Sequence, residues 1–214
     1  MSYLNRSTEL AESRGYFAYP EVVQRSQEMP WWFAQLSTRR GLDDFASRIG
    51  YPVPDALREY YSLPLLASFL EFAVDGSVLF QEEYKVLDVP RDRFPIHFHW
   101  DGADYVAILE HGHSGTYLGA SLDSPDPKVA CGEPLGPDFP DDWALAAEVP
   151  NAQELDCTFS EWVFGTIDGY ESQLDFWEAA IRKVDADPKE RERVGDYAYF
   201  RTLPGMKQRL GGDH

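Results

Sequence analysis

The chain has 214 residues, 43% of them hydrophobic and 14% aromatic, and a formal net charge of −18. That apolar content excludes intrinsic disorder and fits one large domain. The charge is unevenly spread: between Arg93 and Arg182 a single basic residue, Lys128, stands against seventeen aspartates and glutamates, a net of −16. Such a stretch repels polyanions, which excludes nucleic acid as a partner. It attracts basic proteins, or serves only to keep the chain soluble. No apolar run reaches the roughly 20 residues of a membrane span. The start at Met1-Ser2-Tyr3-Leu4 lacks a secretory signal, and Cys131 and Cys157 form no disulfide framework, so the expected compartment is the cytoplasm.

In chain order, residues 1–29 are polar and weakly patterned, with a helix expected only around Glu9 to Arg14. From Pro30, Trp31, Trp32, Leu36, Leu42, Phe45 and Ile49 recur at three- and four-residue spacings, the stripe of a buried helix. Gly50 ends that stretch, and Pro54 suits a first helical turn, where its missing N–H is no loss. Leu57, Tyr60 and Tyr61 then face the core, and a further helix runs Leu65 to Phe72.

The middle of the chain changes period. Ser77–Phe80, Tyr84–Asp88, Phe94–Trp100, Tyr105–Glu110, Thr116–Leu122 and Lys128–Glu133 are short runs rich in β-branched and aromatic residues, separated by Gly, Pro and Asp. Turns are expected at Asp101-Gly102-Ala103-Asp104 and His113-Ser114-Gly115, and a loop at Pro134–Pro140. Leu155 to Val163 leads into a C-terminal helix ending near Val184. Thr158-Phe159-Ser160-Glu161 reads as its capping box, and Gly165 and Gly169 as points of kinking. Asp187-Pro188 starts a last short helix. The pattern is α+β: N-terminal helices, a central antiparallel β-sheet covered on one side, and a closing C-terminal helix. Residues 1–29 read as an N-terminal extension, 30–184 as the domain, and 185–214 as a short helix and tail.

Ile49-Gly50-Tyr51-Pro52-Val53-Pro54-Asp55-Ala56-Leu57-Arg58-Glu59-Tyr60-Tyr61 resembles the helix entry of the SUKH superfamily (Smi/Knr-like), which unites bacterial immunity proteins with relatives of a yeast cell-wall synthesis regulator. Ile96-His97-Phe98-His99-Trp100-Asp101-Gly102, followed by Tyr105 to Leu109, is similar to that family's mid-domain strand pair. Thr158-Phe159-Ser160-Glu161-Trp162-Val163 is similar to its closing helix. The resemblance spans about Trp31 to Trp177; the helix from Pro64 to Phe72 departs from the family pattern. It implies a scaffold that binds another protein, often a toxin, and no shared catalytic residues. Many such toxins are nucleases with basic substrate surfaces, which an acidic inhibitor would cover.

A metal-dependent enzyme is the competing reading. His97-Phe98-His99 and His111-Gly112-His113 flank one expected hairpin, with Asp101 and Asp104 at its tip, and these are ligand types for zinc or iron. Residues two apart on a strand share a face, so His97 and His99 belong together. A two-residue turn at Gly102-Ala103 pairs His97 with Ile108 and sends His111 to the other face. A three-residue loop sets His111 opposite Pro95, on the face of His97. Four converging histidines are not expected in either register, and three require the three-residue loop. The aspartates of 123–126 and 138–142 lack the spacing of an EF-hand, and no nucleophile elbow, phosphate loop or CxxC is present. The sequence therefore favours a protein-binding domain without a cofactor, whose partner is a basic protein such as a toxin domain; a regulatory scaffold is the third reading. The partner-binding candidates are Asp101, Asp104, Asp138, Asp141 and Asp142, with Trp143 as an aromatic anchor.

Overall fold

A computed structural model describes residues 2–29, 31–73, 84–86, 97–100, 103–111, 117–132, 147–148, 153–195 and 197–211, and the statements below concern these residues. It is an α+β fold. Six helices come first: α1 (Asn5–Ser13), α2 (Pro20–Gln27), α3 (Trp31–Leu36), α4 (Arg39–Ile49), α5 (Asp55–Tyr61) and α6 (Pro64–Ala73). The single stripe expected from Trp31 to Ile49 is broken into α3 and α4 at Ser37-Thr38. Thr38 Oγ1 donates to the Gln35 carbonyl at 2.7 Å and accepts the Gly41 N–H at 3.1 Å, so its side chain competes with a continuous helix and caps a new one. Gly50 closes α4 in the left-handed conformation at φ 77°, as its position implied. Pro54 stands one residue before α5, as an extended N-cap with ψ 142°, and not within the first turn.

Seven strands follow among the described residues: β1 (Tyr84–Val86), β2 (His97–Trp100), β3 (Ala103–His111), β4 (Tyr117–Ser121), β5 (Lys128–Gly132), β6 (Ala147–Glu148) and β7 (Gln153–Thr158). They form one sheet in the order β6-β2-β3-β4-β5-β7, with β1 also paired to β3. All pairings are antiparallel except the short parallel contact of β6 with β2. β1 and β2 take successive halves of one edge of β3. Val106, Ala120 and Val129 are Cα partners across three strands and are buried, while a bulge between Ala107 and Leu109 carries the apolar row on to Leu109 and Leu118. The run Ser77–Phe80, the turn 113–115 and the loop 134–140 lie outside the described residues. Leu155, expected at the approach to the last helix, belongs to β7, whose Gln-Glu-Leu-Asp-Cys-Thr sequence pairs with β5.

The closing helix α7 runs unbroken from Phe159 to Ala186 behind a complete capping box, in which Thr158 and Glu161 each satisfy the other's backbone N–H. α8 (Pro188–Val194), a 3₁₀ turn at Phe200–Thr202 and α9 (Met206–Arg209) then bring the chain back onto α7. The first and last segments are not appendages. Leu4, Ala11, Tyr16 and Val22 from the N-terminal side, and Phe200, Leu203 and Met206 from the C-terminal side, join the same buried cluster as Phe69, Phe159, Tyr170 and Trp177. Tyr16 stacks on Phe69 and meets Tyr170 edge-on. No helix among the described residues is long and apolar enough to cross a membrane.

Gly165 and Gly169 neither kink nor split α7. Both are exposed, and a Cβ at either would meet nothing within 4 Å. Gly165→Ala and Gly169→Ala should therefore each stabilise the protein, by up to about 1 kcal/mol through helix propensity alone. Urea denaturation of the single and double variants checks this, and additive shifts of the midpoint are expected.

Candidate interaction surface

The acid-rich stretch is largely engaged within the chain wherever it is described. On α7, Arg209 reaches Glu171, Asp175 and Glu178, while Arg182 binds Glu178 at 2.8 Å and Arg14 binds Asp168 at 2.7 Å. Burial pushes the Tyr16 hydroxyl up to about 12, so it stays protonated and donates to Glu171 at 3.0 Å. Arg201 binds Asp185 at 2.6 Å and holds that carboxyl below its usual range. The mildly basic end of the chain thus folds back over the acidic helix and neutralises part of it. On the sheet, Lys128 Nζ donates to Glu154 at 2.5 Å. Asp126 accepts the Ser160 N–H at 3.0 Å and the Ser160 hydroxyl at 2.6 Å, placing a carboxylate at the positive end of α7. Its two oxygens serve the helix, which leaves 123–126 tied to α7 and not arranged around an ion.

Of the residues expected to meet a partner, Asp104 is described, half-buried at the start of β3, and accepts a hydrogen bond from the Tyr51 hydroxyl. Asp101, Asp138, Asp141, Asp142 and Trp143 lie outside the described residues.

The histidine reading is corrected by the register. Trp100 pairs with Ala103, so the hairpin turns at positions 101 and 102; His97 lies opposite Val106 and His99 opposite Asp104. Neither of the two expected registers is present. His111 pairs with Tyr84 of β1 instead. With one residue absorbed by the bulge in β3, His111 stands four strand positions beyond Val106, roughly 14 Å along the sheet at about 3.4 Å per residue. The backbones of the three histidines are thus spread along the sheet and not gathered at one place, and among the described residues no group of three or more histidine, cysteine or acidic side chains is placed to hold a metal.

Burial, followed by the charges of Glu161 and Asp156, pushes the Cys157 thiol above its usual range, away from a reactive thiolate.

Sequence reasoning missed a cleft of about 200 Å³ between the α4–α5 linker, residues 52–55, and the β4–β5 turn, residues 122–125. Of its lining residues Val53 and Leu122 are buried, while Asp55 and Asp123, one from each segment, are exposed. The two walls are joined by the Ala56 N–H donating to the Pro125 carbonyl at 2.9 Å. Next to it Tyr51, 41% exposed, ties the linker to Asp104. The cleft mixes apolar walls with negative charge and carries no paired acid and base for proton transfer. Such a surface can bind a cationic side chain. The prolines and turn residues that build it were readable as loop signals, but nothing in either segment indicates that the two meet. Comparison of the chain with protein-family models, with characterised proteins and with solved structures finds no match to any of them.

Proposed function

We propose that this chain is a non-enzymatic protein-binding domain, of the immunity type, that neutralises a basic toxin through an acidic surface. The observation that carries the proposal is the charge distribution: seventeen acids to one lysine between Arg93 and Arg182. The acids of α7 are internally paired, which moves the docking surface toward the sheet side of the stretch, where Asp104, Asp123 and Asp156 are found and where Asp101, Asp138, Asp141, Asp142 and Trp143 fall in sequence. The spread of the histidine backbones along the sheet and the raised Cys157 thiol favour binding over catalysis. The resemblance to the SUKH superfamily points the same way, and nuclease toxins, with basic substrate surfaces, are the partners whose chemistry fits.

The test is capture on the immobilised chain from a lysate of the source cell, elution along a salt gradient and identification by mass spectrometry. One basic protein, released at moderate salt and losing its toxic activity when bound, is the expected result. Retention of acidic proteins alone, or of none, overturns the proposal. Asp141→Lys with Asp142→Lys should slow association with the captured partner on the order of tenfold at low salt and flatten its salt dependence. Surface plasmon resonance at two ionic strengths reads both effects, and unchanged kinetics would remove the pair from the interface.

A further inference from the structure

The cleft between residues 52–55 and 122–125 differs from the acidic face of α7 in one respect. Among the described residues no salt bridge reaches Asp55 or Asp123; Asp123 accepts only the Ser121 hydroxyl at 2.6 Å, and the nearby Lys128 amine is taken by Glu154. We infer that this cleft is the anchor site for a single arginine or lysine side chain of a basic protein partner, an inference that rests on the proposed binding function.

Size, lining and rigidity favour that occupant. At about 200 Å³ the cleft is below the roughly 300–1,000 Å³ of small-molecule sites, and suits one side chain better than a whole metabolite. Leu122, Val53 and the flanking prolines offer apolar contact to the methylene stem of a long cationic residue, while Asp55 and Asp123 accept from its head. An anion is disfavoured, because the Ala56 N–H at the start of α5 is already donated to Pro125. The 122–127 turn is fixed on three further sides: Leu122 N–H to the Asp104 carbonyl at 2.9 Å, Phe159 N–H to the Pro127 carbonyl at 2.6 Å, and Asp126 to Ser160. A preformed pocket loses little entropy on binding, as anchor sites require. The same chain already seats a guanidinium between carboxylates, where Arg209 lies among Glu171, Asp175 and Glu178.

The probe is a blocked tripeptide, acetyl-Gly-Arg-Gly-amide, titrated into the full-length protein while backbone amide shifts are followed by NMR. Its citrulline analogue is the neutral control. Shifts concentrated at 53–56 and 122–124 are expected, weaker with citrulline, and Asp55→Asn with Asp123→Asn should reduce affinity about 5- to 10-fold. Asp55→Asn alone provides a milder second variant, since an asparagine at that exposed position keeps the side chain's shape. Equal response to citrulline, or shifts scattered over α7, overturns the anchor site. With a captured basic partner, the double variant should speed dissociation, whereas the Asp141 and Asp142 changes act on association. A partner indifferent to Asp55 and Asp123 overturns the cleft and leaves the binding function standing. A specific arginine response with no basic partner does the reverse.

Discussion

Trp177→Ala is expected to destabilise the protein by about 3–5 kcal/mol, the range for removing a buried large aromatic side chain. Trp177 is 1% exposed. Its ring stacks on Phe200 with centroids 3.4 Å apart and 12° between planes, and meets Tyr197 and Phe176 edge-on. It is the fixed point on α7 against which the returning C-terminal segment packs, and Leu203 and Met206 are buried behind that contact. Polar ties would remain in the variant, among them Tyr170 donating to the Pro204 carbonyl at 3.0 Å, Arg201 on Asp185 at 2.6 Å, and Arg209 among its carboxylates. Ion pairs this exposed contribute roughly 0–1 kcal/mol each and are screened by salt, so they do not replace the lost apolar burial. Guanidinium denaturation monitored by far-UV circular dichroism measures the loss. Trp177→Phe should recover most of it, and a loss below 1 kcal/mol would contradict the packing of this segment on α7.

How far the sequence discloses the fold depends on the length and size of each buried stripe. The central strands were legible because β-branched and aromatic residues alternate there, and α7 because Phe159, Val163, Ile167, Leu174, Trp177 and Ile181 mark one face. The two ends carry little sequence signal for a definite reason. α1 buries Ser7 and Ala11, and α2 only Val22. Small or single contacts leave almost no periodic signal, although Leu4 and Tyr16 beside them are fully buried. At the other end, the buried Phe200, Leu203 and Met206 sit in a 3₁₀ turn, a loop and a one-turn helix, none long enough to show a period. β7 has one aliphatic residue, Leu155, and holds its place by backbone pairing with β5, so tertiary context overrides weak propensity.

The site was legible in composition and not in geometry. The excess of acid between Arg93 and Arg182 could be counted, but its neutralisation required partners at a distance. Arg14 crosses from the first helix to Asp168, and Arg209 reaches back across thirty-eight residues to Glu171. The cleft joins two segments about seventy residues apart, each an ordinary proline-containing loop by itself. The histidine pairs show the converse. Their spacing invites a metal, yet the location of the turn and one bulged residue in β3 decide how far apart the backbones of His97, His99 and His111 lie, and neither can be read from residue types.

Gly41→Ala should destabilise the protein by about 3 kcal/mol or more, the upper end of the overpacking range. The same substitution at Gly165 or Gly169 is expected to stabilise, so the sign is set entirely by surroundings. Gly41 lies in the first turn of α4 against the last turn of α3. A Cβ there would fall 1.9 Å from the Gln35 carbonyl oxygen and 2.6 Å from its carbon. Both are backbone atoms, and no side-chain rotation relieves the overlap. The gain of about 1 kcal/mol from replacing a helical glycine is therefore outweighed by separating the two helices. That separation propagates, because Phe33 on α3 packs edge-on against both Tyr60 and Tyr61 of α5, and Phe45 on α4 against Tyr61. The loss should appear as a lowered urea midpoint and a reduced near-UV signal from the displaced tyrosines. An alanine tolerated at 41 without loss would mean that α3 does not lie over the start of α4, and that Thr38 does not turn the chain between them.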